Sequence, residues 1–183
     1  MSEDFGAWLG NITKVLDRDG ESDVPCGGCT ACCRASQFVH VEPDELETRA
    51  RIPRTLLFPA PNAPAGHHVM GYDERGRCPM LVDDRCSIYG VRPRACRAYD
   101  CRVFAATDVF PDEPEKGEVA TRARAWTFTY AADVDRRSHQ RLAAVAAAMR
   151  DEAGSVPGST ATHVAIGAIM RFVASESEPG RDS

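Results

Sequence analysis

The sequence is poor in lysine, in long apolar runs and in recognisable targeting signals, and each absence narrows what the chain can be. Of its 22 lysines and arginines only Lys14 and Lys116 are lysines, so the positive charge is almost entirely arginine. With 27 acidic residues the formal net charge is −5, which argues against nucleic acid as a partner. No apolar run is long enough to span a membrane, so we expect no membrane partner either.

The N-terminal segment lacks an export signal, since residues 1–5 are acidic and carry no basic-then-apolar pattern. We therefore expect a cytoplasmic protein, in which disulfides are rare and thiols are better interpreted as ligands. The alternative is a secreted protein with four disulfides. A glycine-rich nucleotide-binding loop after a strand is also missing.

Cysteine, in contrast, is abundant, and its eight residues fall into two groups. Closely spaced thiolates are soft ligands that hold zinc or iron–sulfur clusters, so all eight are candidate metal ligands. The first group forms a C-x-x-C-x-x-C-C run, and the second lies in an arginine-rich stretch. The candidate metal ligands are Cys26, Cys29, Cys32, Cys33, Cys78, Cys86, Cys96 and Cys101. Those expected to bind a cofactor directly are Cys26, Cys29, Cys33, Cys78, Cys86 and Cys96.

The spacing leaves two metals open. A C-x-x-C pair suits the tetrahedral shell of Zn²⁺. The three-cysteine run and the remote Cys78-Pro79 are typical of iron–sulfur proteins, so a [4Fe–4S] cluster is favoured over zinc. Because the side chains of adjacent residues diverge, we expect Cys32 and Cys33 not to bind the same ion. Neither group alone resembles a complete module, so we interpret them as one site with surplus thiols.

Charged residues around the second group allow three interpretations. The seven arginines between positions 75 and 102 would stabilise a negative thiolate centre. They would equally form a solvated basic face paired with Asp83, Asp84 and Asp100. A third possibility is a site for a phosphorylated or carboxylated substrate. Of the histidines, His40, His67 and His68 are alternative ligands, whereas His139 and His163 are expected at the surface or at the core boundary.

The two cysteine groups together resemble the YkgJ-type CxxCxxCC family of zinc- or iron-chelating domains. The resemblance covers residues 24–102, through the first run, Cys78-Pro79-Met80-Leu81, Cys86-Ser87-Ile88-Tyr89 and the Arg92–Tyr99 segment. It implies a metal site and no assigned activity. Flagellin lysine methylases look similar in this segment and contain an iron–sulfur cluster, but the missing nucleotide loop argues against carrying methyl transfer over.

The predicted fold class is α+β, a small irregular metal-stabilised module with a short hairpin and packed terminal helices. The predicted domains are an N-terminal amphipathic helix within 1–20, a cysteine-cluster domain over 21–105, a C-terminal strand and helices over 106–175, and a disordered tail over 176–183. We expect helices at 2–17 (capped by Ser2), 136–152 and 160–174, a short helix opened by Pro93 that carries Cys96, and strands at 38–41, 67–72 and 126–130. The predicted inward faces are Leu142, Val145, Ala146 and Met149 in the first of the two long C-terminal helices and Ile166, Ile169, Met170 and Val173 in the second. Residues 53–66 and 107–118 are expected to be irregular, and residues 67–72 are expected to form a hairpin with 78–82.

Three functions are compatible with this pattern. The preferred one is a metal protein of unassigned role that holds a [4Fe–4S] cluster or zinc. The second is a redox or protein-modifying enzyme that uses the cluster, with an unknown protein partner or small substrate. The third is a metal carrier or sensor whose surplus thiols pass the metal on.

Overall fold

The computed structural model describes residues 1–153 and 160–177, and in these ranges it forms seven α-helices and seven short strands. The helices are α1 (Phe5–Leu16), α2 (Leu46–Arg51), α3 (Arg94–Ala98), α4 (Arg102–Thr107), α5 (Gly117–Arg124), α6 (Asp133–Ala153) and α7 (Ala161–Glu176). The strands are β1 (Ser2–Asp4), β2 (Val39–Val41), β3 (Leu57–Pro59), β4 (His68–Met70), β5 (Leu81–Val82), β6 (Arg85–Cys86) and β7 (Thr127–Thr129). This mixture confirms the α+β class. None of the helices in the described ranges combines the length and the apolar character needed to cross a bilayer.

The chain divides into two compact units. The first comprises Met1–Gly20, Asp100–Asp112 and the described part of 120–183. The second comprises Glu21–Tyr99 and Glu113–Val119. Seven of the eight cysteines therefore belong to the second unit, and Cys101 belongs to the first.

Helix α1 lies near the start of the first unit. Its buried residues are Phe5, Trp8, Ile12 and Val15, which recur at the predicted spacing of three and four. The prediction of Ser2 as its N-cap is wrong. Residues 2–4 form β1, which pairs in parallel with β7. The cap is Asp4, whose carboxylate accepts a hydrogen bond from the backbone N–H at position 7.

Helices α6 and α7 pack against each other, and α4 packs on both. In α6 the buried residues are Leu142 and Ala146, on the predicted face. In α7 the prediction that Met170 faces inward is wrong, because 58% of its surface is exposed. The buried face of α7 includes the small residues Ala165 and Ala168, which allow close approach of a neighbouring helix. Helix α7 ends at Glu176, the first residue of the predicted disordered tail, and residues 178–183 of that tail lie outside the described residues.

The second unit contains a three-stranded antiparallel sheet in the order β2-β4-β3. Two predictions about it are wrong. Residues 53–66 are not irregular throughout, because Leu57–Pro59 form the edge strand β3, where a proline without an N–H is tolerated. Strand β4 pairs with β2 and β3, and not with residues 78–82. Strand β5 instead pairs with β6 across Asp83 and Asp84, whose φ angles of 48° and 55° match a type I′ turn.

A small apolar cluster lies behind the cysteines of the second unit. Its buried members are Val41, Ile52, Met70, Met80 and Ile88. Cys78 and Cys86 pack against this cluster from one side. The cluster therefore fixes the positions from which these two thiols project.

Helices α4 and α5 are absent from the sequence prediction. The loop expected over 107–118 ends in a 3₁₀ turn at Pro114–Lys116, and α5 begins at Gly117. The proline stands in the first turn, where its missing N–H costs no hydrogen bond.

Candidate metal centre

The two cysteine groups lie side by side in the second unit. The backbone N–H of Cys78 donates to the carbonyl of Cys33 at 2.7 Å, and the N–H of Ser36 donates to the carbonyl of Gly76 at 2.9 Å. Gly76 has a φ of +73°, and a Cβ at this position would lie 2.1 Å from the Ser36 Oγ. Only glycine allows the two segments to approach this closely.

The first group is carried by a tight turn followed by a 3₁₀ helix. The N–H of Cys29 donates to the carbonyl of Cys26 at 2.8 Å, around Gly27 with a φ of +54°. Cys32 and Cys33 follow on the 3₁₀ turn Ala31–Arg34. This local structure brings four thiols onto a segment of eight residues.

The second group is carried by three different elements. Cys78 begins a turn that Leu81 closes by donating to the Cys78 carbonyl at 2.9 Å. Cys86 is the last residue of β6, and Cys96 lies on α3, the short helix predicted after Pro93. Cys101 lies beyond α3, where it is the N-cap of α4 in the first unit.

Seven thiols line one cavity of about 570 Å³ in the second unit. They are those of Cys26, Cys29, Cys32, Cys33, Cys78, Cys86 and Cys96. Cys101 does not line this cavity. Among residues 1–153 and 160–177, none of the eight cysteines forms a disulfide, and no three histidine, cysteine or acidic side chains are arranged to hold a single ion. The thiols thus surround a space instead of converging on one point, and such a soft donor set fits zinc or an iron–sulfur cluster.

Burial and mutual repulsion keep most of these thiols protonated in the absence of a metal. Burial, together with the charges of Cys78, Cys33 and Cys86, raises the pKa of Cys96 to about 12. Burial likewise raises the pKa of Cys78 to about 11 and raises that of Cys86. A cation bound among these sulfurs would reverse these shifts, because it favours the thiolates.

Backbone amides already point at two of these sulfurs. The amides of Met80 and Leu81 hydrogen-bond the Cys78 thiol, and that of Ile88 hydrogen-bonds the Cys86 thiol, so each lowers the pKa that burial raises. Hydrogen bonds to sulfur are among the features that stabilise metal-bound thiolates. Nothing in the sequence identified these three donors, because a backbone amide carries no side-chain signal.

Cys32 and Cys33 interact with each other, although their side chains were expected to diverge. The Cys32 thiol acts as donor and lowers the pKa of Cys33 to about 7. The same contact, together with burial and the charges of other thiols, raises the pKa of Cys32. Cys33 is therefore partly ionised near neutral pH, unlike Cys78, Cys86 and Cys96, and its sulfur interacts electrostatically with those of all three.

The arginines divide between the interpretations offered by the sequence. Arg92 lowers the pKa of Cys86 and Cys96 by its charge, and Arg34, which sequence reasoning missed, does the same for Cys33. Arg102 does not belong to a solvated face, because its side chain is fully buried in the first unit and pairs with the equally buried Asp100 at 2.7 Å. Asp84, in contrast, pairs with Arg34.

The histidines lie apart from the thiol cavity. The rings of His40 and His67 stack at 5.1 Å, with Nε2 and Nδ1 3.1 Å apart, and the Nδ1 of His68 lies 2.9 Å from the carbonyl of Gly66. Neither these three nor any other described histidine lines the cavity. In the first unit, His139 is half-buried beside Phe5, while His163 is exposed.

Comparison with known proteins assigns the chain to a family but finds no individual protein that it resembles. No curated protein and no solved structure matches the chain. The family model CxxCxxCC, described as "putative zinc- or iron-chelating domain", matches residues 25–121, which is 97 of 183 residues. The matched segment contains all eight cysteines and therefore both groups that form the cavity. The chain belongs to the CxxCxxCC family of zinc- or iron-chelating domains.

Proposed function

We propose that the chain binds a metal centre in the cavity of seven thiols, and that this centre is a [4Fe–4S] cluster in preference to zinc. The observation that carries the proposal is that both cysteine groups line a single cavity. When bound, the cluster supplies one-electron redox chemistry, whereas zinc has no redox chemistry.

The placement of the thiols supports the cluster. A zinc ion draws its sulfurs to about 2.3 Å from one point. Among the described residues no three potential ligands are grouped for one ion, and the thiols are instead distributed around the cavity. A cluster of several iron and sulfide atoms has its ligands distributed around it in the same way.

We assign the inner ligands to one thiol of the first group and the three thiols of the second group that line the cavity. These are Cys33, Cys78, Cys86 and Cys96, and the charge of Cys33 raises the pKa of each of the other three. Cys26, Cys29 and Cys32 complete the wall of the cavity, and we leave Cys101, which does not line the cavity, out of the proposed ligand set. We place the protein in the cytoplasm, where such thiols stay reduced.

Anaerobic purification followed by absorption spectroscopy and by iron, zinc and sulfide quantitation tests the proposal. We expect a coloured protein with about four iron and four sulfide per chain. Cys96→Ser should lose most of the metal. The matched control Cys101→Ser, which removes a thiol outside the cavity, should keep it. A colourless protein with zinc alone would exclude the cluster, and a protein without metal would overturn metal binding altogether.

A second candidate function, metal delivery, is favoured by one observation. Three thiols of the cavity remain beyond the four that a single centre requires. Extra thiols beside a bound metal offer a route for ligand exchange with a partner. Rapid transfer of the metal to a chromophoric chelator, slowed by Cys29→Ser, would support delivery, whereas release over many hours in both proteins would oppose it.

A further inference from the structure

Two arginines of the thiol cavity are not neutralised by a carboxylate. Arg85, Arg92 and Arg97 all line the cavity. Arg97 is compensated, because its Nε lies 3.0 Å from Glu21 and its Nη2 lies 3.6 Å from Glu45. Among residues 1–153 and 160–177, neither Arg85 nor Arg92 forms an ion pair.

Arg92 is held in a fixed orientation although it has no acidic partner. Its Nη1 donates to the carbonyl of Tyr89 at 3.0 Å, and its guanidinium carbon lies 4.2 Å from the centre of the Tyr89 ring. Tyr89 itself is 57% exposed, so the pair stands at the solvent-accessible side of the cavity. A guanidinium fixed in this way loses little conformational entropy when it binds a second group.

Arg85 is exposed at the start of β6, directly after the type I′ turn. Asp84 beside it also lines the cavity and pairs with Arg34, so its negative charge is balanced by that arginine. Gly27 and Gly28, which line the same cavity, have no atom within 4 Å of the position that a Cβ would take. The glycine turn therefore leaves open space in the cavity that both arginines line.

We infer that Arg85 and Arg92 form a binding site for a small oxyanion, a carboxylate or a phosphate, beside the metal centre. This inference rests on the proposed function. Guanidinium groups bind both oxyanions through paired N–H donors. Both arginines line the cavity proposed for the metal centre, so the anion would share this cavity with the centre.

Calorimetric titration of the metal-loaded protein with pyrophosphate and, separately, with citrate tests the inference. In about 0.15 M KCl, where weak surface attraction is screened, we expect saturable binding of at least one of the two anions. The anion that binds identifies the chemistry as phosphate or carboxylate. Arg85→Gln and Arg92→Gln should each weaken binding about ten-fold or more, since each removes one charged donor.

The matched control is Arg54→Gln, which removes an exposed arginine that does not line the cavity. It should leave the affinity unchanged, and Arg92→Lys should keep part of it. Metal content is measured for every variant. Metal-loaded protein that binds neither anion, or that loses affinity equally in the control, overturns the inference and leaves the metal proposal intact. Failure to find any metal would instead overturn the proposed function.

Discussion

Metal binding by the thiol cavity should depend steeply on pH, because most of the proposed ligands hold their protons in the absence of a metal. The pKa of Cys78 is raised to about 11, that of Cys96 to about 12, and that of Cys86 is raised as well. For Cys96 the rise from 9.0 corresponds to about 4 kcal/mol, since one pKa unit is about 1.36 kcal/mol. A bound metal must supply this free energy and displace the proton.

The number of protons displaced follows from these values. Near pH 7 a metal that binds four thiolates displaces one proton each from Cys78, Cys86 and Cys96, and half a proton from Cys33, whose pKa is about 7. The total of about 3.5 protons means that the apparent affinity rises about 3,000-fold for each pH unit near neutrality. The sign is fixed, because raising the pH removes the protons that compete with the metal.

Zinc is a convenient probe of this dependence. We would titrate reduced, metal-free protein with Zn²⁺ against a chromophoric chelator between about pH 6.5 and 7.5. Calorimetry in two buffers of different ionisation enthalpy would count the protons directly. Cys96→Ser should release about one proton fewer and bind more weakly, whereas Cys101→Ser should match the wild type. Release of fewer than about two protons by the wild type, or loss of a proton only in Cys101→Ser, would refute the ligand assignment.

Three further predictions concern stability. Arg102→Ala should lower the free energy of unfolding of the first unit by about 3–5 kcal/mol in urea, because it leaves the buried Asp100 carboxylate without its counter-charge. Burial lowers the pKa of His139 below 6.5, so its contribution to stability should be complete above about pH 6.5 and decline as the pH falls, because only the unfolded chain is then readily protonated. Gly76→Ala should lower the melting temperature, because it adds a strained φ of +73° and a clash with Ser36.

Each of these predictions has a matched control. For the first, replacing Arg102 and Asp100 together by Met and Leu should recover much of the loss, and a cost below about 1 kcal/mol in the single variant would contradict a paired buried charge. For the second, His139→Phe should flatten the acid dependence, and an unchanged pH profile would contradict the assignment. For the third, Gly90→Ala, which has open space and no positive φ, should change stability by less than about 0.5 kcal/mol. Equal effects of the two alanine substitutions would show that the close approach of residue 76 to Ser36 does not require glycine.

Sequence patterns predicted the elements that depend on residues close together in the chain. Helix α1 carries its buried stripe at intervals of three and four, so the period that predicts it is also the period of its buried face. Strand pairing was harder, because the apolar run at His68–Met70 is compatible with several partners. Its real partners, β2 and β3, are selected by long-range packing that leaves Val41 and Met70 in the core.

The sequence by itself predicted a zinc- or iron-chelating domain with cysteine ligands, because thiol spacing reports ligand chemistry without any knowledge of the fold. It could not determine which thiols share a space. The tertiary structure decided that, because the backbone hydrogen bond between Cys78 and Cys33 and the close approach of Gly76 to Ser36 join segments that are forty or more positions apart in the sequence. The same long-range contacts collect seven thiols and two uncompensated arginines around one cavity and assign Cys101 to the other unit.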